Sequence, residues 1–193
     1  MAAPRPLAVI ACLAVLLCPA ATPAAAGPRR PGDGFEQPLV TPGPYVKRTV
    51  GQSVGRWTVT RGTVDQIGRR YWQAPDGRQS VDLNGTSAGT IRTTMATGAG
   101  VRYRVSYFLA GNPAGGPAQK SGQVAVDGTV RQTFSFDTTG RTFTDMGYVR
   151  KSFVFVATGG PATLDFASTS GPTAHGPVID KTSVVRCVAV PCG

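Results

Sequence analysis

The sequence contains few of the residues from which metal cages and acid–base active sites are most often built. Its 193 residues include one histidine, His175, one glutamate, Glu36, and four cysteines. Two of the cysteines lie in an apolar N-terminal stretch, so the rest of the chain cannot complete a zinc cage from Cys and His alone. A catalytic triad would have to use His175, which lies in a segment rich in glycine and proline. These shortages argue against a zinc protein and against most hydrolase mechanisms.

Long hydrophobic runs are also scarce. The longest, residues 7–17, is shorter than the roughly 20 residues that a membrane-spanning helix needs. It follows Arg5 and precedes three alanines at 24–26, a pattern typical of a secretory signal peptide. We therefore expect a signal peptide at residues 1–26 and a flexible leader at 27–34. The protein is expected to be secreted, extracellular or associated with a cell wall, without a membrane anchor after cleavage.

The two cysteines outside that stretch, Cys187 and Cys192, lie close together near the C-terminus. Exported proteins pass through oxidising compartments in which such pairs form disulfides. The spacing predicts a small loop closed by a disulfide, and a pair of free thiols is the alternative.

Acidic residues are half as numerous as basic ones. The chain has 10 Asp and Glu against 20 Lys and Arg, a formal charge of +10, and the basic residues are scattered. A nucleic-acid-binding domain usually concentrates its charge in a stripe or a known motif, so no nucleic-acid partner is expected. Attraction to anionic cell-wall polymers is one use of this charge. Solubility together with a compositional bias toward arginine is the alternative.

Helical periodicity is absent, and alternating strand patterns take its place. Asp127-Gly128 lies between two such patterns and is a strong signal for a two-residue hairpin turn. About nine or ten short strands separated by turn signals predict an all-β protein, an antiparallel β-sandwich first and a barrel second. The predicted single domain covers residues 35–193. Its first strand is predicted at 35–38, followed by a long loop at 41–55.

The stretch 71–85 holds the parts that a saccharide site needs. Tyr71 and Trp72 offer flat apolar surface for a pyranose ring, and Asn84 offers an amide for hydroxyl groups. We expect these three residues to bind a sugar, Trp72 foremost, with Trp57, Tyr45 and Tyr107 as weaker candidates. The alternative is an ordinary sandwich strand with half-buried aromatic residues, because tryptophan is common in cores.

Five short motifs occur in a fixed order along the chain after the signal peptide. They are Gly34-Phe35-Glu36; Trp57-Thr58-Val59 with Gly62-Thr63-Val64-Asp65; Asp76-Gly77 with Ser80-Val81-Asp82-Leu83-Asn84-Gly85; Leu109-Ala110-Gly111-Asn112-Pro113; and Gly176-Pro177 with Asp180. Together they resemble the choice-of-anchor C family of secreted bacterial proteins and the related plant cell-wall family catalogued as domain of unknown function 642. Each motif is weak alone, and the ordered set is specific.

The resemblance implies a galactose-binding-like jelly roll with adjacent first and last strands, associated with polysaccharide and without established catalysis. It also implies a structural calcium ion where those strands meet, with Glu36 and Asp180 as carboxylate ligands and Asp76 or backbone carbonyls completing the shell. The alternative is that Glu36 and Asp180 pair with basic residues. The chain departs from the family pattern in having Lys181 after Asp180, and it stops at Gly193 without the anchor that many bacterial members carry.

The leading functional hypothesis is therefore a secreted, non-catalytic protein that binds polysaccharide or another cell-wall glycan. A structural or protein-interaction module is the alternative, and a secreted hydrolase is third. Residues 51–55 match the Gly-x-Ser-x-Gly pattern of a nucleophile elbow, but no helical segment follows them as that elbow requires. The match is therefore attributed to chance, and no enzyme is expected. The sequence leaves the sugar and the oligomeric state open.

Overall fold

The computed structural model describes Met1, residues 34–188 and Cys192. The predicted signal peptide and leader, apart from Met1 and Gly34, lie outside the described residues. Residues 31–193 form one compact unit, and the following description concerns that unit. Its described part contains twelve strands: β1 (Tyr45–Thr49), β2 (Ser53–Val54), β3 (Trp57–Arg61), β4 (Thr63–Gly68), β5 (Gln79–Asp82), β6 (Thr90–Met95), β7 (Arg102–Gly111), β8 (Gln119–Val126), β9 (Thr129–Asp137), β10 (Val149–Val156), β11 (Ala162–Ser168) and β12 (Pro177–Arg186).

The strands form two six-stranded antiparallel sheets. The first sheet has the order β1-β4-β5-β12-β7-β10, and the second has the order β2-β3-β6-β11-β8-β9. No helix occurs among the described residues. The prediction of an all-β sandwich is confirmed, and the sheets have the architecture of a jelly roll. Within the described ranges, no helix is long and apolar enough to cross a membrane.

The hairpin predicted at Asp127-Gly128 is present. It joins β8 to β9 with Val126 paired to Thr129, so the loop has two residues. Both turn residues have positive φ, 49° for Asp127 and 74° for Gly128. This conformation matches the right-handed twist of the strands, which explains why an Asp-Gly pair occupies the turn.

Three expectations about the first third of the domain are wrong. Residues 35–38 form no strand, so β1 is the first strand, and β4 and β5 separate it from the last strand, β12, contrary to the expectation that the two are adjacent. The predicted loop at 41–55 contains β1 and β2. The error at 41–55 arises because the region has five Gly and Pro residues, which are typical of loops. These Gly and Pro residues lie outside β1 and β2, near the positions where the two strands begin and end.

The segment 34–40 is instead fixed by two buried glutamines. The amide nitrogen of Gln66 donates to the carbonyls of Phe35 (2.9 Å) and Pro38 (2.8 Å), and that of Gln79 donates to the carbonyl of Phe35 at 2.7 Å. The backbone N–H of Val40 donates a hydrogen bond to the side-chain amide oxygen of Gln79, Oε1. Both glutamines are almost completely buried, so leaving these amides unpaired would be costly. The segment is therefore held against β4 and β5.

Aromatic side chains connect the two sheets across the core. Phe166 of β11 contacts Tyr107 of β7, with ring centroids 4.9 Å apart at 74°, and Trp57 of β3 at 5.4 Å. Phe35 extends the group, 6.0 Å from Trp57. All four are buried. Edge-to-face pairs of this kind add to the burial of apolar area, so Phe166 is a central contact between the sheets.

Replacing Phe166 by alanine should lower the free energy of unfolding by about 3–5 kcal/mol, since it leaves a cavity against two aromatic rings. Urea unfolding followed by tryptophan fluorescence measures this loss. Val154→Ala is the matched control, because Val154 is 46% exposed on the edge strand β10 and its truncation should cost less than about 1 kcal/mol. Equal losses in the two variants would contradict this description of the core.

Candidate functional site

Three aspartates lie in a row on the outer face of the first sheet. Asp65 of β4 is paired with Asp82 of β5, and Asp82 is paired with Val178 of β12, two residues before Asp180. Because strand side chains alternate between faces, these three carboxylates share one face. The neighbours Val81 and Ile179, on the opposite face, belong to the core. The pairing register of β4, β5 and β12 therefore fixes the positions of the three aspartates.

Burial of this row raises the pKa of each acid. The pKa of Asp65 rises to about 6, that of Asp82 to about 7 and that of Asp180 to about 8, in each case chiefly through desolvation. Hydrogen bonds donated by Asn84, Asn112 and Gly176 oppose the shift at Asp82. The charge of Lys47 opposes it at Asp65.

The predicted metal ligands come together at one end of this row. Around the position that a Gly34 side chain would occupy, carboxylate oxygens of Asp76, Glu36 and Asp180 lie at 3.2, 3.6 and 3.7 Å. The three oxygens therefore lie within 3.7 Å of one point, and only a glycine leaves that space open. The prediction that Glu36 and Asp180 are neighbours agrees with this geometry.

Backbone groups hold the carboxylates in place. Glu36 accepts hydrogen bonds from the backbone N–H groups of Arg78 and Gln79, both at 2.9 Å. Asp180 accepts from the N–H groups of Lys181 (2.6 Å) and Asp76 (3.2 Å). The side chain of Lys181 forms an ion pair with Asp76 at 3.3 Å. One of the three carboxylates is therefore paired with an ammonium group.

The donor set of this cluster suits a hard cation. Calcium takes six to eight oxygen ligands, and carboxylates with backbone carbonyls are its usual protein donors. As they stand, no three His, Cys, Asp or Glu side chains in the described part of the chain are arranged to hold a metal ion. The residues fit calcium in chemistry and in proximity, and binding would require the carboxylates to turn inward.

The predicted sugar ligands Trp72 and Asn84 are buried, contrary to the sequence-based expectation. Trp72 is 3% exposed, and its indole N–H donates to the Ser80 hydroxyl at 2.9 Å. The Asn84 amide donates to the carbonyl of Thr173 at 2.8 Å. Neither side chain presents a surface to a ligand in this conformation. The aromatic pair at 71–72 is split, with Trp72 packed inward and Tyr71 lying over it.

Three aromatic side chains form a surface on top of Trp72, which we call the aromatic shelf. Tyr71 is its centre, 4.9 Å from the ring of Phe143 and 5.9 Å from that of Tyr45. Tyr45 is 45% exposed and Phe143 is 37% exposed. The ring of Trp72 supports Tyr71 from below at 5.0 Å. The shelf is therefore an accessible apolar surface on a rigid base.

Asp65 provides a polar group beside the shelf. Its Oδ1 is buried and has no hydrogen-bond partner among the described residues. Burial is the chief cause that raises the pKa of Tyr71, and the charges of Tyr45, Asp82 and Asp65 add to it, which places the Tyr71 hydroxyl in the field of the two aspartates. An unpartnered buried carboxylate oxygen is costly, so Oδ1 of this partly buried side chain would gain a hydrogen bond if the side chain turned toward a bound molecule.

Phe143 and Asp65 were not predicted as site residues. Phe143 lies in the loop before β10, far from Tyr71 in the sequence, and the backbone N–H of Gln73 donates to its carbonyl at 3.3 Å. No local signal marks that contact. Asp65 occurs in one of the motifs that carry the family resemblance, and its position in a predicted strand next to the aromatic stretch was the available signal.

Two other sequence predictions are resolved by the structure. Cys187 and Cys192 form a disulfide, with Cα atoms 5.2 Å apart. Ser53, at the centre of the Gly-x-Ser-x-Gly match, lies in the short strand β2, and a turn followed by β3 comes next. The strand–turn–helix geometry of a nucleophile elbow is not formed there.

Comparison with known proteins identifies relatives of the chain and of the fold. A family model described as "Protein of unknown function (DUF642)" matches residues 33–185. Halomucin from Haloquadratum walsbyi is 34% identical over 133 residues. That match covers 67% of this chain and only 1% of halomucin.

Among solved structures, the CBM22-1 xylan-binding domain of Xyn10C from Paenibacillus barcinonensis is similar, with a TM-score of 0.51 and 18% identity. The match covers 75% of this chain and 95% of that domain. A family 35 carbohydrate-binding module from Clostridium thermocellum matches 72% of this chain and 97% of its own length, with a TM-score of 0.48 and 14% identity. At 18% identity, the likeness to the xylan-binding domain establishes the fold alone.

Replacing Asp65 by asparagine should change how stability depends on pH. The folded pKa, about 6, exceeds the ordinary value of 3.8, so the folded state binds this proton more tightly than the unfolded chain. The protonated Asp65 side chain therefore contributes fully to the free energy of unfolding below about pH 4. This contribution is lost as the pH rises to 6. Melting curves in chelator should show Asp65→Asn gaining stability relative to the wild type across that window.

The control is Asp145→Asn, since the side chain of Asp145 is 67% exposed. Its melting profile should run parallel to that of the wild type from pH 4 to 6. A parallel profile for Asp65→Asn as well would show that Asp65 is not buried as described.

Proposed function

The chain belongs to the DUF642 family, and from this premise we propose that it is an extracellular or cell-wall-associated protein that binds carbohydrate without catalysing a reaction on it. The observation that carries the proposal is the aromatic shelf, where the half-buried Tyr71 and the exposed Tyr45 and Phe143 lie over the buried Trp72. Pyranose rings have flat apolar faces that pack on aromatic rings, as other apolar groups do. The disulfide between Cys187 and Cys192 is consistent with an oxidising compartment.

The polar groups beside the shelf complement a sugar. Asp65 keeps a carboxylate oxygen free of protein partners, and Lys47 lies near enough to influence its ionisation. A carboxylate accepts hydrogen bonds from two adjacent hydroxyl groups, a pattern that sugars provide. Stacking on the shelf would supply affinity, and Asp65 would fix the orientation of the ring.

The fold supports the same proposal by analogy. The xylan-binding domain that resembles this chain is built on the same two-sheet architecture. An analogy of fold does not transfer a ligand, so xylan is one test substrate among several wall polysaccharides.

The arrangement of acids favours binding over hydrolysis. Glycosidases use two carboxyl groups that flank the scissile bond. Asp82 is fully buried, and its oxygens accept hydrogen bonds from Asn84, Gly176 and Asn112. Among the described residues, Asp65 is the one acid of the row with a buried oxygen that has no hydrogen-bond partner.

We further propose that calcium binds between the segment 34–36 and β12, with Glu36, Asp76 and Asp180 as carboxylate ligands. The ion would neutralise the negative charge of these three acids, and it would hold the turn at 75–78 against the segment 34–36 and β12. The support is the convergence of three carboxylates on the open space at Gly34.

Replacing Tyr71 by alanine should weaken binding of the preferred wall polysaccharide by about tenfold or more, because burying an aromatic side chain contributes about 1.5–3 kcal/mol. A glycan array identifies the ligand, and calorimetry measures the loss. Tyr71→Phe should retain most of the affinity, since the ring remains. Tyr103→Ala is the matched control, because Tyr103 lies in β7 near residue 98, away from the shelf.

Unchanged affinity in Tyr71→Ala would exclude the shelf as the binding surface. A silent array together with specific capture of a protein partner would instead favour the protein-interaction alternative. Product release that depends on Asp65 would favour hydrolysis.

Calcium should raise the melting temperature, and chelator should reverse the rise. An ion that binds only the folded state stabilises it by about 2.7 kcal/mol at 100 times its dissociation constant. Glu36→Gln and Asp180→Asn should each remove the response, whereas Asp137→Asn, an exposed acid on β9, should retain it. No change on adding calcium, or an equal rise in Glu36→Gln, would exclude this site.

A further inference from the structure

The outer face of the second sheet carries a polar groove on the side of the sandwich opposite the shelf. One part, of about 490 Å³, is lined by residues of β6, β8 and β11 and by the end of β3. A second part, of about 360 Å³, lies over β3 and β6, and both parts share Arg92. Strands are spaced about 4.8 Å apart, so a groove across four strands extends roughly 14 Å. This length suits a segment of a polymer.

Arginines dominate the charge of this groove. Arg56, Arg61 and Arg92 line it, and Asp165 is its one acidic lining residue. Arg92 binds Asp165 through two hydrogen bonds, at 2.7 and 3.0 Å. That pairing cancels one positive charge and leaves two. The groove is therefore a localised basic surface in a chain whose charges are otherwise scattered.

Two of these guanidinium groups are held in position. Arg61 donates from Nε to the Thr90 hydroxyl at 3.1 Å and from Nη2 to the Ser168 carbonyl at 2.9 Å. Arg92 is fixed by Asp165 but remains 47% exposed. In each case the described residues accept nothing from Nη1, so donors remain for a ligand. A side chain fixed in advance loses less conformational entropy on binding.

The rest of the lining indicates what kind of anion fits. Besides the arginines and Asp165 it consists of threonine, serine, glutamine, alanine and glycine residues, and it contains no aromatic side chain. Proteins that bind single-stranded nucleic acid stack bases on aromatic rings, and this groove offers none. Hydroxyl and amide groups instead match the hydroxyls of a sugar chain.

We propose that this groove is a second binding site, specific for polysaccharides that carry carboxylate or sulfate groups, with Arg56 and Arg61 contacting the anionic groups. Arginine suits this role because its planar fork of donors matches carboxylate and sulfate oxygens. The site is independent of the aromatic shelf, which lies on the other sheet and contains no arginine. The protein would thus bind a neutral face of a glycan on one side and an acidic polymer on the other.

The test compares anionic and neutral polymers in binding titrations with the full chain. Dextran sulfate and polygalacturonate should bind, with affinity that falls as sodium chloride is raised, and unmodified dextran should not compete. The double variant Arg56→Gln/Arg61→Gln should bind both anionic polymers at least tenfold more weakly, since a hydrogen bond to a charged group contributes about 1.5–3 kcal/mol.

The matched control is Arg150→Gln/Arg186→Gln, which removes two charges from β10 and β12 of the first sheet. It should stay within about twofold of the wild type, because exposed charges beyond a Debye length are screened. Equal losses in the two double variants would show diffuse attraction to the whole surface and overturn the proposal. So would the absence of binding, or equally tight binding of plain dextran.

Two further measurements separate the remaining outcomes. Among the described residues Arg56 has no side-chain hydrogen bond or ion pair, so Arg56→Gln alone should weaken binding while its melting temperature stays unchanged. Tyr71→Ala should bind dextran sulfate like the wild type, so failure of the shelf and failure of the groove are distinguishable. A DNA duplex that binds more tightly than either polysaccharide and displaces it would overturn the assigned class of ligand.

Discussion

The candidate site depends on the pairing of two buried amides with the backbone of an irregular segment. Gln66 and Gln79 cannot be left without partners in the interior, and the carbonyls of Phe35 and Pro38 satisfy them. This constraint places Glu36 next to the turn at 75–78 and to Asp180. Without it, residues 34–40 would have no strand pairing to fix them, and the acids of three distant segments would not converge.

The two outer faces of the sandwich carry different chemistry. The first sheet presents a row of buried acids under a cover of aromatic rings, and the second presents arginines among small hydroxyl-bearing side chains. Burial on the first sheet raises the pKa values of the aspartates, because a low-dielectric environment disfavours their charged forms. Exposure on the second sheet leaves the guanidinium groups accessible to solvent and to anions. The two proposed sites therefore lie on separate faces of one fold.

Sequence patterns identified the strands better than the site. The hairpin at Asp127-Gly128 was predictable because its turn conformation needs those residue types. The convergence of Glu36 with Asp180 was correctly expected from the family resemblance. Trp72 was misplaced because an aromatic pair in a loop has no periodicity that tells which ring faces inward. Its burial was decided by Ser80 beneath it and by Phe143, which comes from a loop far along the chain.

The sequence by itself determined the all-β class and the hairpin turn at Asp127-Gly128, which follow from alternation and from local backbone preferences. Cysteine spacing predicted the disulfide between Cys187 and Cys192 but left free thiols as the alternative. Only the tertiary structure decided which aromatic rings are exposed, that Asp65 keeps an unpartnered oxygen, and that Arg56, Arg61 and Arg92 share a groove. The physical reason is that exposure and proximity depend on contacts between strands far apart in the chain. The local sequence pattern does not indicate those contacts.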